Sequence, residues 1–86
     1  MQTPELLLYV KSGCPWCDLA EDYLNEHGYK FRRINVCRDR ASFEEMRRIS
    51  GQTYAPTLVV GDEVLPDFGP EELHHFLKAN EIQPGI

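Results

Sequence analysis

The chain has 86 residues, of which 42% are hydrophobic and 27% are charged, and its formal net charge is −5. This length fits one domain spanning residues 1–86, and the composition is typical of a globular protein, not of a disordered or collagen-like chain. The negative charge argues against nucleic acid as a partner. The longest apolar run, Leu6 to Val10, is too short to cross a membrane, so no membrane association is expected.

The cysteines are more typical of reactive residues than of structural cross-links. The chain has three cysteines, an odd number that does not form a closed disulfide framework. Residues 1–5 lack the basic and apolar regions of a secretory signal, so we expect a cytoplasmic protein. In that reducing compartment disulfides are rarely structural.

The first predicted strand is Leu6 to Val10, because a continuous apolar run is typical of a central strand covered on both faces. Pro15 fits the first position of the helix that follows, and Gly28 fits its end. Apolar residues at helical spacing predict the buried face of this helix. They are Trp16, Leu19, Ala20, Tyr23 and Leu24.

Residues 30–36 are predicted to form a second strand, with a second helix after it. Ser42 to Glu45 matches a capping box, in which a serine begins a helix and a glutamate three residues later completes the cap. This predicts that the helix begins at Ser42, and Gly51 marks its end. Basic residues are concentrated here, with seven basic and three acidic residues between Lys30 and Arg48. Solvated surface and an anchor for a small anion or acidic partner are both open interpretations.

Residues 57–60 and 63–65 are predicted to form a hairpin around a tight turn at Gly61–Asp62. Pro70 begins a final helix whose apolar side contains Leu73, Phe76 and Leu77. The order of elements is therefore βαβαββα. It predicts an α/β fold in which a four-stranded mixed sheet is flanked by helices.

The two cysteines of the Cys-Pro-Trp-Cys segment are the candidate catalytic residues. Cys14 falls at the start of the first helix, where unpaired N–H groups and the helix dipole favour a negative sulfur and lower the pKa of the thiol. Lys11 adds a nearby positive charge. Cys17 lies one turn later and less exposed, where it can resolve a mixed disulfide formed at Cys14.

Other uses of the cysteines fit the sequence less well. A structural zinc site needs four ligands, and beyond this pair only Cys37 and three histidines remain, with no second pair at ligand spacing. We therefore expect no metal site. Cys37 follows the second strand and is interpreted as a buried or half-buried small hydrophobic residue, with a regulatory or glutathionylated thiol as the alternative.

The Cys-Pro-Trp-Cys motif at 14–17, the Ala55–Pro56 pair after the second helix and the order of elements resemble the glutaredoxins, within the thioredoxin fold. The resemblance extends from Leu6 to about Leu77. It implies a thiol–disulfide oxidoreductase with glutathione as co-substrate and no tightly bound cofactor. It also implies a cis peptide bond between Ala55 and Pro56, beside the cysteines.

The same resemblance implies a set of binding residues for glutathione or another substrate. Lys11, Ala55 and Pro56 match the family's glutathione contacts, and Trp16 and Tyr54 are either substrate contacts or ordinary packing and surface residues. A glycine carboxylate of glutathione would lie near the second helix. Candidate partners for that carboxylate are Arg47, Arg48 and Gln52.

The segment LPDFGPEEL at 65–73 departs from the Gly-Gly turn of many glutaredoxins. It is similar to glutaredoxin-like redoxins that donate electrons to ribonucleotide reductase and are recharged by thioredoxin reductase. Asp67 and Phe68 are its candidate binding residues, beside a helix N-terminus able to accept a carboxylate.

We expect a monomer that acts on glutathione and protein disulfides, and the glutathione reductase system or thioredoxin reductase supplies the electrons. An alternative of a different class is a module that carries an iron–sulfur cluster or binds a partner. Cluster carriage in glutaredoxins uses Cys14 together with glutathione, and Pro15 leaves less room for it.

Overall fold

The computed structural model of the protein describes residues 5–84. The elements follow the predicted order βαβαββα. They are β1 (Leu6–Val10), α1 (Pro15–Glu26), β2 (Phe31–Asn35), α2 (Arg40–Ser50), β3 (Thr57–Val60), β4 (Glu63–Pro66) and α3 (Pro70–Ala79).

The strands form one mixed sheet in the order β2-β1-β3-β4. β1 runs parallel to β2, with Leu6 opposite Phe31, and antiparallel to β3. β3 and β4 form the predicted hairpin, in which Val60 pairs with Glu63 across a two-residue turn. Gly61 begins this turn at φ 61°, a left-handed conformation that glycine adopts without steric cost. The prediction of a four-stranded mixed sheet in a thioredoxin-like fold is confirmed.

β1 lies between two hydrophobic layers, one on each face of the sheet, as its continuous apolar sequence predicts. Leu8 and Val10 are fully buried in the larger layer, which α1 and α3 cover. Tyr9 is buried on the opposite face, where Val36, Met46 and Val59 form the smaller layer beneath α2. Because successive residues of a strand point to opposite faces, one short strand supplies both layers.

The predicted buried face of α1 is partly wrong. Ala20 and Leu24 are buried as expected, but Trp16 is 57% exposed and Leu19 is 44% exposed. The third buried residue of the helix is Cys17. Two stripes at helical spacing overlap in this sequence, and the stripe that contains the small apolar cysteine is the one that faces the sheet.

The start of α2 also differs from the prediction. The helix begins at Arg40 and its capping residue is Asp39, whose carboxylate accepts hydrogen bonds from Ala41 N–H (3.1 Å) and the Ser42 hydroxyl (2.7 Å). Ser42 thus supports the cap from inside the helix and is not the capping residue. The hydrogen bond from Ser42 is the main cause that holds the pKa of Asp39 below its ordinary value. The predicted end at Gly51 is confirmed, with φ 73°.

The last helix agrees with the sequence. α3 begins at Pro70, and Leu73 and Leu77 are buried while Phe76 is half-buried against the larger layer. Between residues 5 and 84, none of the helices is both long and apolar enough to cross a membrane.

Candidate active site

The two cysteines of the motif lie at the junction of β1 and α1, as predicted. Cys14 is the capping residue of α1, with extended backbone angles, and Pro15 occupies the first helical position. Cys14 and Cys17 are joined as a disulfide, and their Cα atoms are 5.2 Å apart. The N–H of Cys17 points at the Cys14 sulfur at 3.1 Å. After reduction, this N–H and the helix N-terminus stabilise a thiolate at Cys14.

The two sulfurs differ in their access to solvent. Cys14 is half-buried, whereas Cys17 is 1% exposed and forms part of the larger hydrophobic layer. An incoming disulfide can therefore reach Cys14 first. Cys17 lies behind it as the disulfide partner of the same sulfur.

The loop before β3 brings Ala55 and Pro56 to the cysteine pair. The Ala55 carbonyl oxygen lies 3.9 Å from the Cys14 sulfur. The Ala55–Pro56 peptide bond is cis, as the family resemblance implies. Pro56 is buried, whereas the side chain of Tyr54 is 63% exposed. Tyr54 is thus on the surface and available to a bound molecule.

Lys11 directly follows β1, at the same edge of the sheet as Cys14. Its side chain is half-buried, and its ammonium nitrogen lies 5.8 Å from the centre of the Phe43 ring of α2. This distance allows a cation–π interaction. The ammonium is therefore directed towards α2, on the side of the site where the resemblance places a carboxylate.

The candidate carboxylate partners on α2 are engaged within the chain. Arg47 pairs with Glu44 at 3.1 Å and Arg48 pairs with Glu45 at 3.0 Å, one helical turn apart in each case. These exposed pairs stabilise the helix weakly. They favour the interpretation of this basic segment as solvated surface.

A shallow pocket of about 210 Å³ lies beside Trp16, at the N-terminus of α3. Asp67 is exposed on its rim, whereas Phe68 is only 3% exposed and packs in the larger hydrophobic layer. The Trp16 ring packs against Gly69, because a Cβ atom on that glycine would lie 3.2 Å from the ring atom Cζ3. The segment 67–69 therefore holds Trp16 at the edge of the site.

The N-terminus of α3 is already capped by its own side chain. Gly69 N–H donates a hydrogen bond to the Glu72 carboxylate at 2.7 Å, and Pro70 has no N–H to offer. The carboxylate binding expected at this terminus thus competes with an internal carboxylate. Glu72 was not among the predicted site residues, although a glutamate three residues after a cap is a recognised signal.

Cys37 is exposed, so its interpretation as a buried or half-buried residue is wrong. It lies just beyond the end of β2, in a turn where its N–H donates to the Asn35 side chain at 2.9 Å. Asn35 also donates to the hydroxyl of Ser12, which precedes the cysteine pair, at 3.1 Å. Within the described part of the chain, no three His, Cys, Asp or Glu side chains are grouped closely enough to hold a metal ion.

A cysteine pair at a strand–helix junction beside a cis-proline loop, on this sheet, defines the chain as a thioredoxin-fold protein with a redox-active pair. The family model for glutaredoxin matches residues 6–65, which is more than half of the chain. The protein therefore belongs to the glutaredoxin family.

Relatives and solved structures agree with this assignment. A glutaredoxin-like 8.6 kDa protein encoded in the rubredoxin operon of Clostridium pasteurianum is 28% identical over 71 residues, covering 83% of this chain and 95% of the relative. The crystal structure of a glutaredoxin from Archaeoglobus fulgidus is 26% identical with a TM-score of 0.77, covering 87% of both chains. The glutaredoxin-like NrdH-redoxin of Escherichia coli shares the fold at 23% identity and a TM-score of 0.74, covering 95% of this chain and 99% of that one.

Proposed function

We propose that the protein reduces protein disulfides and glutathione mixed disulfides by thiol–disulfide exchange at Cys14. The observation that carries this proposal is the unequal placement of the two sulfurs. The Cys14 sulfur is accessible and accepts the Cys17 N–H, whereas the Cys17 side chain is buried directly behind it. This is the arrangement that an attacking thiol and a resolving thiol require.

The reaction begins with the reduced pair. The Cys14 thiolate attacks one sulfur of the substrate disulfide, a bond forms between these two sulfurs, and the other substrate sulfur leaves and takes a proton from solvent. Cys17 then loses its proton and attacks the Cys14 sulfur. The second substrate thiol is released. The substrate disulfide has gained two electrons, and the cysteine pair has been oxidised to the Cys14–Cys17 disulfide.

The surrounding residues would position the substrate. Ala55 presents its backbone beside the Cys14 sulfur, where an extended peptide or glutathione can pair with it as a strand does. Buried Pro56 fixes the conformation of this loop, and the exposed rings of Trp16 and Tyr54 offer apolar contact to the substrate. The distance of 3.9 Å between the Ala55 oxygen and the Cys14 sulfur supports the role of Ala55, and the exposure of the two rings supports theirs.

Glutathione is the proposed co-substrate that recharges the pair. Lys11 would attract one of its carboxylates, and Asp67, exposed beside Trp16, would bind its amino group. Phe68 would support Asp67 from the core. No tightly bound cofactor is needed, because the electrons pass directly between sulfur atoms. Such a dithiol works in a reducing compartment, which supports a cytoplasmic location. We also propose that the protein acts as a monomer.

Thioredoxin reductase is a second candidate for the electron source. The observation that favours it is the Glu72 carboxylate on Gly69 N–H, because a second carboxylate at that place meets a like charge and an occupied donor. The E. coli NrdH-redoxin, which shares the fold, is described as having a thioredoxin-like activity profile.

A coupled assay on one mixed-disulfide substrate separates these candidates. One reaction contains glutathione, glutathione reductase and NADPH, and the other contains thioredoxin reductase and NADPH. Turnover with glutathione alone supports the glutathione proposal, and turnover with thioredoxin reductase alone supports the second candidate. In the second case Glu72→Gln should increase turnover with glutathione, since it removes the competing charge. No turnover in either reaction would refute the proposed function.

A further inference from the structure

The side-chain amide of Gln52 is fully hydrogen-bonded to residues in and beside the loop that contains Ala55. Its Nε2 atom donates hydrogen bonds to the hydroxyls of Ser50 at 3.0 Å and Thr57 at 3.1 Å. Its Oε1 atom accepts a hydrogen bond from the backbone N–H of Tyr54. Both amide hydrogens therefore have partners in the chain, and Gln52 is not free to bind the carboxylate of glutathione as the resemblance implies.

The two hydroxyls that receive these bonds belong to rigid elements. Thr57 is the first residue of β3, pairs with Tyr9 in the sheet and is fully buried. Ser50 ends α2 and donates its own hydroxyl to the Met46 carbonyl at 2.6 Å. Gln52 thus connects the end of a helix to the start of a strand across the loop.

Both backbone polar groups of Tyr54 are held by this arrangement. Its N–H donates to Gln52, and its carbonyl accepts the Thr57 hydroxyl at 2.9 Å. Tyr54 immediately precedes Ala55, whose carbonyl lies 3.9 Å from the Cys14 sulfur. The orientation of the peptide beside the reactive sulfur is therefore set by hydrogen bonds that start at Gln52.

We propose that Gln52 is a positioning residue that, with Thr57, holds the Ala55 backbone at the geometry needed to bind an extended disulfide substrate. The proposal rests on the proposed function. Gln52 touches neither sulfur, so its effect passes through the loop. A displacement of about 1 Å between reacting groups can lower a rate about a hundredfold. Hydrogen bonds that fix the loop at this place therefore have a measurable effect on turnover.

The proposal distinguishes two kinds of reactant. A peptide disulfide that pairs with the Ala55 backbone needs the loop in place, whereas a small alkylating reagent needs only the Cys14 thiolate. That thiolate is stabilised by the Cys17 N–H and by α1. The hydrogen bonds of the Gln52 side chain go to Ser50, Thr57 and Tyr54 and not to α1. Loosening the loop should therefore weaken binding of the peptide without changing the intrinsic reactivity of the sulfur.

The test compares Gln52→Ala and Thr57→Val with the wild type, and Thr53→Val is the matched control because it removes a hydroxyl from the same loop. We expect kcat/KM for an extended peptide disulfide to fall about tenfold in both test variants, through KM, an effect of the size of one net hydrogen bond. The rate of Cys14 alkylation by iodoacetamide, and its dependence on pH, should not change. Thr57→Val preserves the shape of the side chain and supplies the same test if Gln52→Ala does not fold.

Each other outcome overturns the inference in a recognisable way. If the wild type does not reduce the peptide, the proposed function fails and the inference fails with it. If the wild type is active and Gln52→Ala behaves like Thr53→Val, only the inference fails. If peptide turnover and alkylation fall together, Gln52 affects the fold or the thiolate in general and is not a positioning residue.

Discussion

Alanine substitutions at Leu24 and Leu19 test which side of α1 faces the sheet. Leu24 is fully buried, so Leu24→Ala loses about 2.4 kcal/mol of transfer free energy for three carbon atoms, plus a term for the cavity that remains. We expect the free energy of unfolding to fall by about 3 kcal/mol in total. For a domain of this size, that lowers the melting temperature by about 12 °C or more.

Leu19 is the matched control, because it lies on the same helix but is 44% exposed. Leu19→Ala should change the free energy of unfolding by about 1 kcal/mol or less, since only part of the side chain is shielded from water. Thermal and urea denaturation of the oxidised variants measure both values. Equal destabilisation by the two substitutions, or a larger effect at Leu19, would refute the rotation of α1 described here.

This rotation matters for the chemistry as well as for stability. The buried side of α1 contains both Leu24 and Cys17, whereas Trp16, the residue before Cys17, is 57% exposed. A helix rotated to bury Trp16 would expose the resolving cysteine to any disulfide in solution. The buried stripe of α1 therefore determines which of the two sulfurs reacts first.

Three further predictions follow from individual contacts. In Cys17→Ser, reaction with a glutathione disulfide should stop at a mixed disulfide on Cys14, detected by mass spectrometry as one glutathione on the peptide that contains Cys14. Gly69→Val should push the ring of Trp16, the single tryptophan, further into solvent, because even a Cβ atom would lie 3.2 Å from it, and the fluorescence maximum should move to longer wavelength. The pKa of Asp39 is lowered in the fold from its ordinary value of 3.8, so its stabilising effect is present above that pH and is lost as the pH falls through the lower folded value. The melting temperature of the wild type should accordingly fall more than that of Asp39→Asn between about pH 5 and about pH 2, because asparagine keeps the cap without the titrating charge.

Each of these predictions has its own control. For the mixed disulfide, Cys14→Ser with Cys17 intact should form no glutathione adduct at residue 17, and an adduct on Cys17 would contradict the assigned order of attack. Gly69→Ala should shift the fluorescence less than Gly69→Val, and unchanged spectra would mean that Trp16 does not pack on this glycine. Equal acid sensitivity of wild type and Asp39→Asn would show that the lowered pKa of Asp39 contributes nothing to stability.

The order and pairing of the elements could be predicted from the sequence because local signals agreed with the fold. The unbroken apolar run Leu6 to Val10 indicated a strand buried on both faces, and Gly61–Asp62 indicated a two-residue hairpin. Pro15 marked the start of a helix directly after Cys14. These signals depend on short-range steric effects and on the pattern of apolar residues along the chain. A single sequence is therefore enough to reveal them.

Local signals in the sequence could not predict which face of α1 is buried or which residue caps α2. The Cys-x-x-Cys spacing indicates that Cys17 is a reactive group, but its side chain also behaves as a small apolar residue in the core. Asp39 and Ser42 both have side chains that can cap a helix, and only the structure shows that the carboxylate takes the first position. In both cases two local solutions compete. Packing against the sheet selects the buried face of α1, and hydrogen bonds to the Asp39 carboxylate fix the start of α2.

The site was predictable where chemistry requires particular residue types at fixed spacing. Cys14, Cys17 and the Ala55–Pro56 pair all lie together as the sequence and the family resemblance indicated. The internal use of Gln52 was not predictable, because it depends on hydrogen bonds whose geometry is set by the folded loop. The use of Glu72 does have a local signal, since it lies three residues after the capping residue Gly69.

The most direct test of the central claim is the rate at which the wild type, Cys14→Ser and Cys37→Ser reduce one mixed-disulfide substrate under identical conditions. Cys37 is the matched control, because it is the third cysteine and its side chain is exposed to solvent. The account predicts that Cys14→Ser abolishes turnover and that Cys37→Ser retains the wild-type rate. Turnover that survives in Cys14→Ser, or that is lost in Cys37→Ser, would contradict the assignment of Cys14 as the attacking thiol.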